Sequence, residues 1–418
     1  MRGVHPTKAG RPEHSIAGTI GTLSHRLVAA QRPLNVLRAL RWNRRTEESF
    51  FARGCQELPD ITPAYYCNRA LGFDVDAKLN EFARLEREIH SRLGSNDGAG
   101  HIMQRICRES ALMVRLLSVR GSPDFATFSR QLYGTASAVI GKLSARQWPE
   151  SSHEPVHQSD RGSGAFGATE AARLLALRLA RYFNDRGAVR IAIDDRLQAD
   201  AAAANGCIRL KANARFTPLD MDTLEVHEGW VHVATTLNAG MQQSCTFLTK
   251  PTASATVTQE GLAVVAESLA GVLHAGRARR LLGRVHAIHM AEHGADFLDV
   301  YRFFLEQRHA PRESYRQAVR VFRGSLPRGI GPFTKDLSYV RGFLDVAGLI
   351  RMELLAGRMH RIPLLFAGKT SALDLDHLSL LADRDLITRP RFVPRQFRDV
   401  RLLSAWSQIS PAAFTMAA

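Results

Sequence analysis

Apolar residues recur at helical spacing from residue 15 to about 147, and the punctuation between them agrees with that rhythm. "DAKLNEFARLEREIHSRLG" keeps its apolar positions on one face and stops at Gly94, a residue suited to closing a helix. "HIMQRICRESALMVRLLSVRG" behaves in the same way and ends at Gly121. "RPLNVLRALRWNRR" (Arg32 to Arg45) reads as an amphipathic helix with its arginines outward. The rhythm fails between Trp148 and Glu170, a polar stretch rich in Ser, Gly and Pro that predicts a linker or mobile loop over 148–168. "TEAARLLALRLARYFNDRG" then resumes a helix with Thr169 as N-cap, and "AVRIAID" (188–194) and "GCIRLKAN" (206–213) alternate as strands do. From Thr217 to about Leu355 the pattern is again mostly helical.

The expected fold is therefore α+β and mainly helical, with a small β-sheet beside the helix that carries "HEGWVH". A chain of 418 residues predicts two or three domains. The division expected is a disordered basic N-terminus (1–14), a helical region (15–147), the linker, and a catalytic part (169–418) on which the N-terminal helices pack.

Composition narrows the setting. With 45% hydrophobic and 23% charged residues the chain can build a substantial core. Five scattered cysteines without a C-x-x-C pair predict small buried apolar residues in a reducing, cytoplasmic location. "IAGTIGTL" is too short and glycine-broken for a membrane span, and nothing later is longer. A net charge of +16 favours anionic partners. Nucleic acid is not expected among them, because no zinc-finger, RRM or KH signature accompanies the charge. The oligomeric state is left open.

The chemistry concentrates in "HEGWVH". His227 and His232 are five residues apart, which on a regular α-helix turns them about 140° from each other, against about 40° for a spacing of four. Sharing one metal then requires an extra residue in the turn, as in a π-bulge, and Gly229 is placed to ease it. A catalytic zinc takes three protein ligands. "TVTQEGLAVVAESLAG" (256–271) offers Glu260 and Glu267 on one helical face. His227, His232 and Glu260 make a His₂Glu set, with Glu228 as general base. Glu267 either orients a ligating histidine from behind or replaces Glu260.

"HEGWVHVATTLN" followed by "TQEGLAVVAE" closely resembles the bacterial QEGLA-motif family, the flavohaemoglobin-expression-modulating proteins. That family is related to the microtubule-associated tyrosine carboxypeptidases, whose two histidines and following glutamate bind zinc. "FFARGCQELP", "FATFSRQLYG", "RVFRG", "GPFTKDLSYVRG" and "LLFAGK" look like further landmarks, so the resemblance covers nearly the whole chain. It implies a zincin-like metallopeptidase holding one Zn²⁺ on His227, His232 and Glu260, with Glu228 as the base. The expected activity is that of a metallocarboxypeptidase acting on a peptide or protein C-terminus, with an acidic tail suited to the basic chain. The alternative is a non-enzymatic zinc protein that regulates gene expression or a partner.

A carboxypeptidase needs a cation for the terminal carboxylate and a donor for the oxyanion. "RVFRGSLPRGIGPFTKDLSYVRG" supplies Arg323 or Lys335 for the first and Tyr339 for the second, unless these groups pair with Asp336 and Asp345. Asn238 is a candidate for the substrate backbone, or else a cap of the metal helix. His286, His289 and His293 line one helical face as a rival metal set or polar stripe, with His289 a candidate proton donor. Cys245 is expected to be structural, because no histidine stands in a protease relation to it.

Overall fold

The computed structural model describes residues 16–413 apart from 95–96, 145–164, 185–188, 196, 198–199, 205 and 330. The expected N-terminus 1–14 and most of the expected linker, 148–164, lie outside the described residues. The remainder is mainly helical, with two small sheets.

Local chemistry sets the helix ends. Asp74 caps Val75–Leu93 by accepting from the Ala77 N–H, and Gly94 closes it at φ 73°. The arginine-rich run 32–45 is not one helix. Asn35 caps Val36–Ala39 and Asn43 caps Arg44–Ala52, so two asparagine side chains capture backbone N–H groups and break the run. Thr169 is not the cap of the helix Ala168–Phe183. Gly167 holds that position in extended backbone, since it is paired as a strand with Arg215.

The described residues contain five strands: β1 (Phe166–Gly167), β2 (Arg190–Asp194), β3 (Ala201–Ala204), β4 (Cys207–Lys211) and β5 (Arg215–Phe216). β1 pairs antiparallel with β5. The larger sheet has the order β2-β4-β3, with β2 parallel and β3 antiparallel to β4. β2 and β4 match the two strands expected. β3 is four alanines, and alanine has little strand preference, so its edge position was invisible to patterning.

The largest buried cluster runs from Ile20 to Trp406 and draws on helices from both ends of the chain. At its centre Ala253–Leu269 crosses Ser338–Leu355. The crossing needs Gly261 and Gly342, because a Cβ on either would overlap the other's backbone. A second cluster packs Leu175 and Leu179 against Ile208 and Leu210 of β4 and against Val233 and Ala234. The sheet is thereby seated on the "HEGWVH" segment, with edge strand β3 beside it. Among the described residues no helix is long and apolar enough to cross a membrane.

Candidate metal centre and its cleft

Thr217 and Asp220 form a capping box that starts Pro218–Leu224, and the chain then widens into a π-helix over Glu225–Val233 before Ala234–Gly240. The Ala234 N–H reaches back five residues to the Gly229 carbonyl. This widening reverses the consequence of the five-residue spacing: the rings of His227 and His232 lie with centroids 4.9 Å apart. The distortion spans nine residues, longer than a single bulge. Gly229 also meets a packing need, because a Cβ there would overlap the side chain of buried Leu179.

Helix Ala253–Leu269, capped by Thr252, carries the two glutamates two turns apart. Glu260 Oε2 lies 3.3 Å from His227 Nε2 and 3.6 Å from His232 Nε2. Tetrahedral zinc with bonds of about 2.05 Å separates its ligand atoms by about 3.3 Å, so the three residues fit that ion. Glu260 Oε2 is buried without a hydrogen-bond partner, as an atom reserved for a cation would be. Among the described residues this is the one cluster whose ligand atoms converge, all within 4.8 Å of one another.

Glu267 stands behind His227. Nδ1 of His227 donates to Glu267 Oε1 at 2.6 Å, which turns Nε2 toward Glu260. Arg277 donates to both Glu267 oxygens, each at 3.1 Å. Burial pushes the Glu267 carboxyl up, but Arg277 and then His227 outweigh it and bring it down to about 2. Burial pulls His227 down, yet Glu260 and Glu267 raise it to about 10.

Glu228 projects from the same turn into a cleft of about 2080 Å³, and its Oε2 accepts the Ala203 N–H of β3 at 3.0 Å. Tyr339 lies across the centre, its ring stacked 6.2 Å from that of His227 and covered by the Arg284 guanidinium at 5.1 Å. Burial raises the Tyr339 phenol to about 12, so it is a proton-bearing donor near neutral pH. Lys335, in the 3-10 turn Thr334–Leu337, also lines the cleft; its carbonyl accepts the Ser338 N–H, while its side chain forms no hydrogen bond or ion pair with a described residue.

Three arginines share one carboxylate nearby. Arg320 donates to Asp336, Arg323 lies 3.8 Å from it and Arg284 3.9 Å. Burial and then the charge of Arg320 pull Arg323 and Arg284 down to about 10. With Lys335 added, the cations at this end of the cleft outnumber the acid, and the surplus suits an anion. Asp336 is thus the partner that the sequence raised for these groups, whereas Asp345 pairs with Lys142 and Arg341.

Other expectations need correction. Asn238 is buried, donates to the Phe366 and Phe392 carbonyls, and accepts from the Arg391 and Phe392 N–H groups. With its amide committed to these segments it is a structural joint, not a substrate contact. The rings of His289 and His293 lie 4.2 Å apart, tilted at 57°, but His286, His289 and His293 do not line the cleft, which removes the proton-donor role for His289. Cys245, by contrast, sits as expected of a structural residue, buried, with its thiol pushed up to about 12 by burial and its Sγ donating to Leu386 O, whereas Cys67 is exposed and Cys55 half-buried.

Pattern reasoning missed Arg277, Arg284 and Lys369. Lys369 ends the "LLFAGK" landmark, and its Nζ donates to the His232 carbonyl at 3.0 Å. Position within that landmark was the one available signal.

No curated protein matches the chain. The profile of the microtubule-associated tyrosine carboxypeptidases matches residues 48–414, across both the N-terminal helices and the metal cluster, and the chain belongs to that family.

Proposed function

We propose that this protein is a zinc-dependent metallocarboxypeptidase that removes a residue from the C-terminus of a peptide or protein. The observation that carries the reading is the convergence of His227 Nε2, His232 Nε2 and an otherwise unpartnered Glu260 Oε2 next to Glu228, whose carboxylate is held by the Ala203 N–H. Zinc, when bound, polarises the scissile carbonyl and acidifies the attacking water.

The chain's own groups divide the remaining work. Glu228 takes the proton from the attacking water and returns it to the leaving amine. The edge of β3 lies beside Glu228, where an extended peptide backbone can pair with it. Tyr339 donates to the oxygen on which negative charge develops. Lys335 is the better placed of the two candidate anchors for the terminal carboxylate, because Arg323 already faces Asp336 and stacks on Phe333 at 5.5 Å. Arg38, Arg41, Lys211, Arg308 and Arg312 continue the positive lining outward, which favours an acidic tail upstream of the cleaved bond. The five free cysteines suit a reducing, cytoplasmic setting. A purely structural zinc protein has no use for Glu228 held at that position, so the regulatory alternative is the weaker one.

The test is digestion of acidic peptides with free or amidated C-termini, read by mass spectrometry. Wild type should shorten free-ended peptides by one residue and leave the amides intact. Glu228→Gln should lose at least 10²-fold in rate. Internal cleavage, or equal rates on amides, would contradict the carboxypeptidase reading.

A further inference from the structure

We infer that Lys369 is a positioning residue whose ammonium group fixes the backbone of His232, and through it the direction of that ligand. The inference rests on the zinc centre proposed above. It starts from a problem that the π-helix creates: where a wide ladder returns to α-helical bonding, carbonyls fall out of line with the backbone N–H groups. In this chain that seam lies after Val233, the residue next to His232.

Side chains serve the carbonyls there. Thr235 Oγ1 donates to Val231 O at 2.8 Å, and Thr236 Oγ1 donates to His232 O at 2.7 Å. Lys369 Nζ adds a charged donor to the same His232 carbonyl, and it also reaches Thr235 Oγ1 at 3.0 Å and Gln259 Oε1 at 3.4 Å. Gln259 immediately precedes Glu260. One ammonium therefore ties the backbone of one ligand to the neighbour of another, across the two helices that must converge on the ion.

The fit is specific to lysine. An ammonium has three donors and no acceptor, and here all three neighbours accept. A planar guanidinium cannot converge on them in the same way. The segment that delivers it is pinned: the Lys369 N–H donates to Leu248 O at 2.7 Å, and a Cβ at Gly368 would lie 2.7 Å from that same oxygen.

The test measures zinc affinity by chelator competition in wild type, Lys369→Met, His232→Ala and the double variant, each checked for helicity. Lys369→Met should weaken zinc about 10- to 100-fold in the wild-type background and add no loss once His232 is gone. Equal affinity in Lys369→Met and wild type would overturn the inference, as would the same fold-loss in both backgrounds. If Lys369→Met does not fold, Lys369→Arg, which retains stem and charge, replaces it in the same cycle. Lys369→Arg should regain the melting temperature but still bind zinc more weakly than wild type, and wild-type affinity in it would overturn the inference. Wild type without zinc affinity would instead defeat the underlying zinc reading, so the two failures are distinguishable.

Discussion

At the scale of single residues, the site is a chain of oriented hydrogen bonds: Glu267 accepts from Arg277 and from Nδ1 of His227, and His227 thereby presents Nε2 to the proposed metal position. Each link removes a rotational choice before any ion arrives, which is how groups behind a ligand raise metal affinity. Arg277→Met should therefore weaken zinc binding about 10- to 100-fold, measured by chelator competition, with Arg277→Lys losing less. Unchanged affinity in Arg277→Met would sever this chain of argument. The first members were legible in the sequence because His227, Glu228, His232, Glu260 and Glu267 sit at spacings with geometric meaning. Arg277, Arg284 and Lys369 were not, since each is one of 56 basic residues and nothing in its neighbours announces a partner. Asn238 shows the opposite error: an amide that both donates and accepts suggested the substrate backbone or a helix cap, but backbone segments more than a hundred residues away use it up.

At the scale of elements, two departures from regular structure carry the site. The π-helix brings a five-residue spacing onto one face, and its need was readable from the angle between the two histidines. The glycine crossing was not readable, although both glycines stand in conspicuous motifs, Gly261 after Glu260 and Gly342 after "SYVR". Their contact sets how close the helix of Glu260 comes to the helix of Tyr339, so it links packing to catalysis. Gly342→Ala forces a Cβ against the Val257 carbonyl, and backbone cannot swing aside as a side chain can. It should cost about 1–3 kcal/mol in urea unfolding and weaken zinc as Glu260 is displaced. A variant with wild-type stability and wild-type affinity would show that the crossing is not constrained. The same scale explains β3, where four alanines form a strand because β4 and the π-helix flank them rather than through any preference of their own.

At the scale of the whole molecule, the N-terminal helices share one buried cluster with the half that carries the histidine–glutamate cluster, and the short helix Val36–Ala39 and the residues after it supply Arg38 and Arg41 to the cleft wall. The net charge of +16 thus has a local expression along the cleft. Exposed charge is screened by salt, with a Debye length of about 10 Å at 0.1 M and about 3 Å at 1 M. For peptides with acidic residues upstream of the cleaved bond, kcat/KM should fall several-fold between low and high salt, and for neutral peptides it should change much less. Equal salt dependence for both would remove the acidic preference while leaving the chemistry intact. Total charge was evident in the sequence, but its collection in one cleft depends on contacts between distant segments.

The claim on which all three scales depend is that His227, His232 and Glu260 bind one zinc ion. The direct measurement is the metal content per chain of wild type and His232→Ala by elemental mass spectrometry after dialysis, with circular dichroism confirming equal helicity. The account predicts about one zinc in wild type and a large loss in His232→Ala. Equal zinc in both, or none in wild type supplied with zinc, would contradict it.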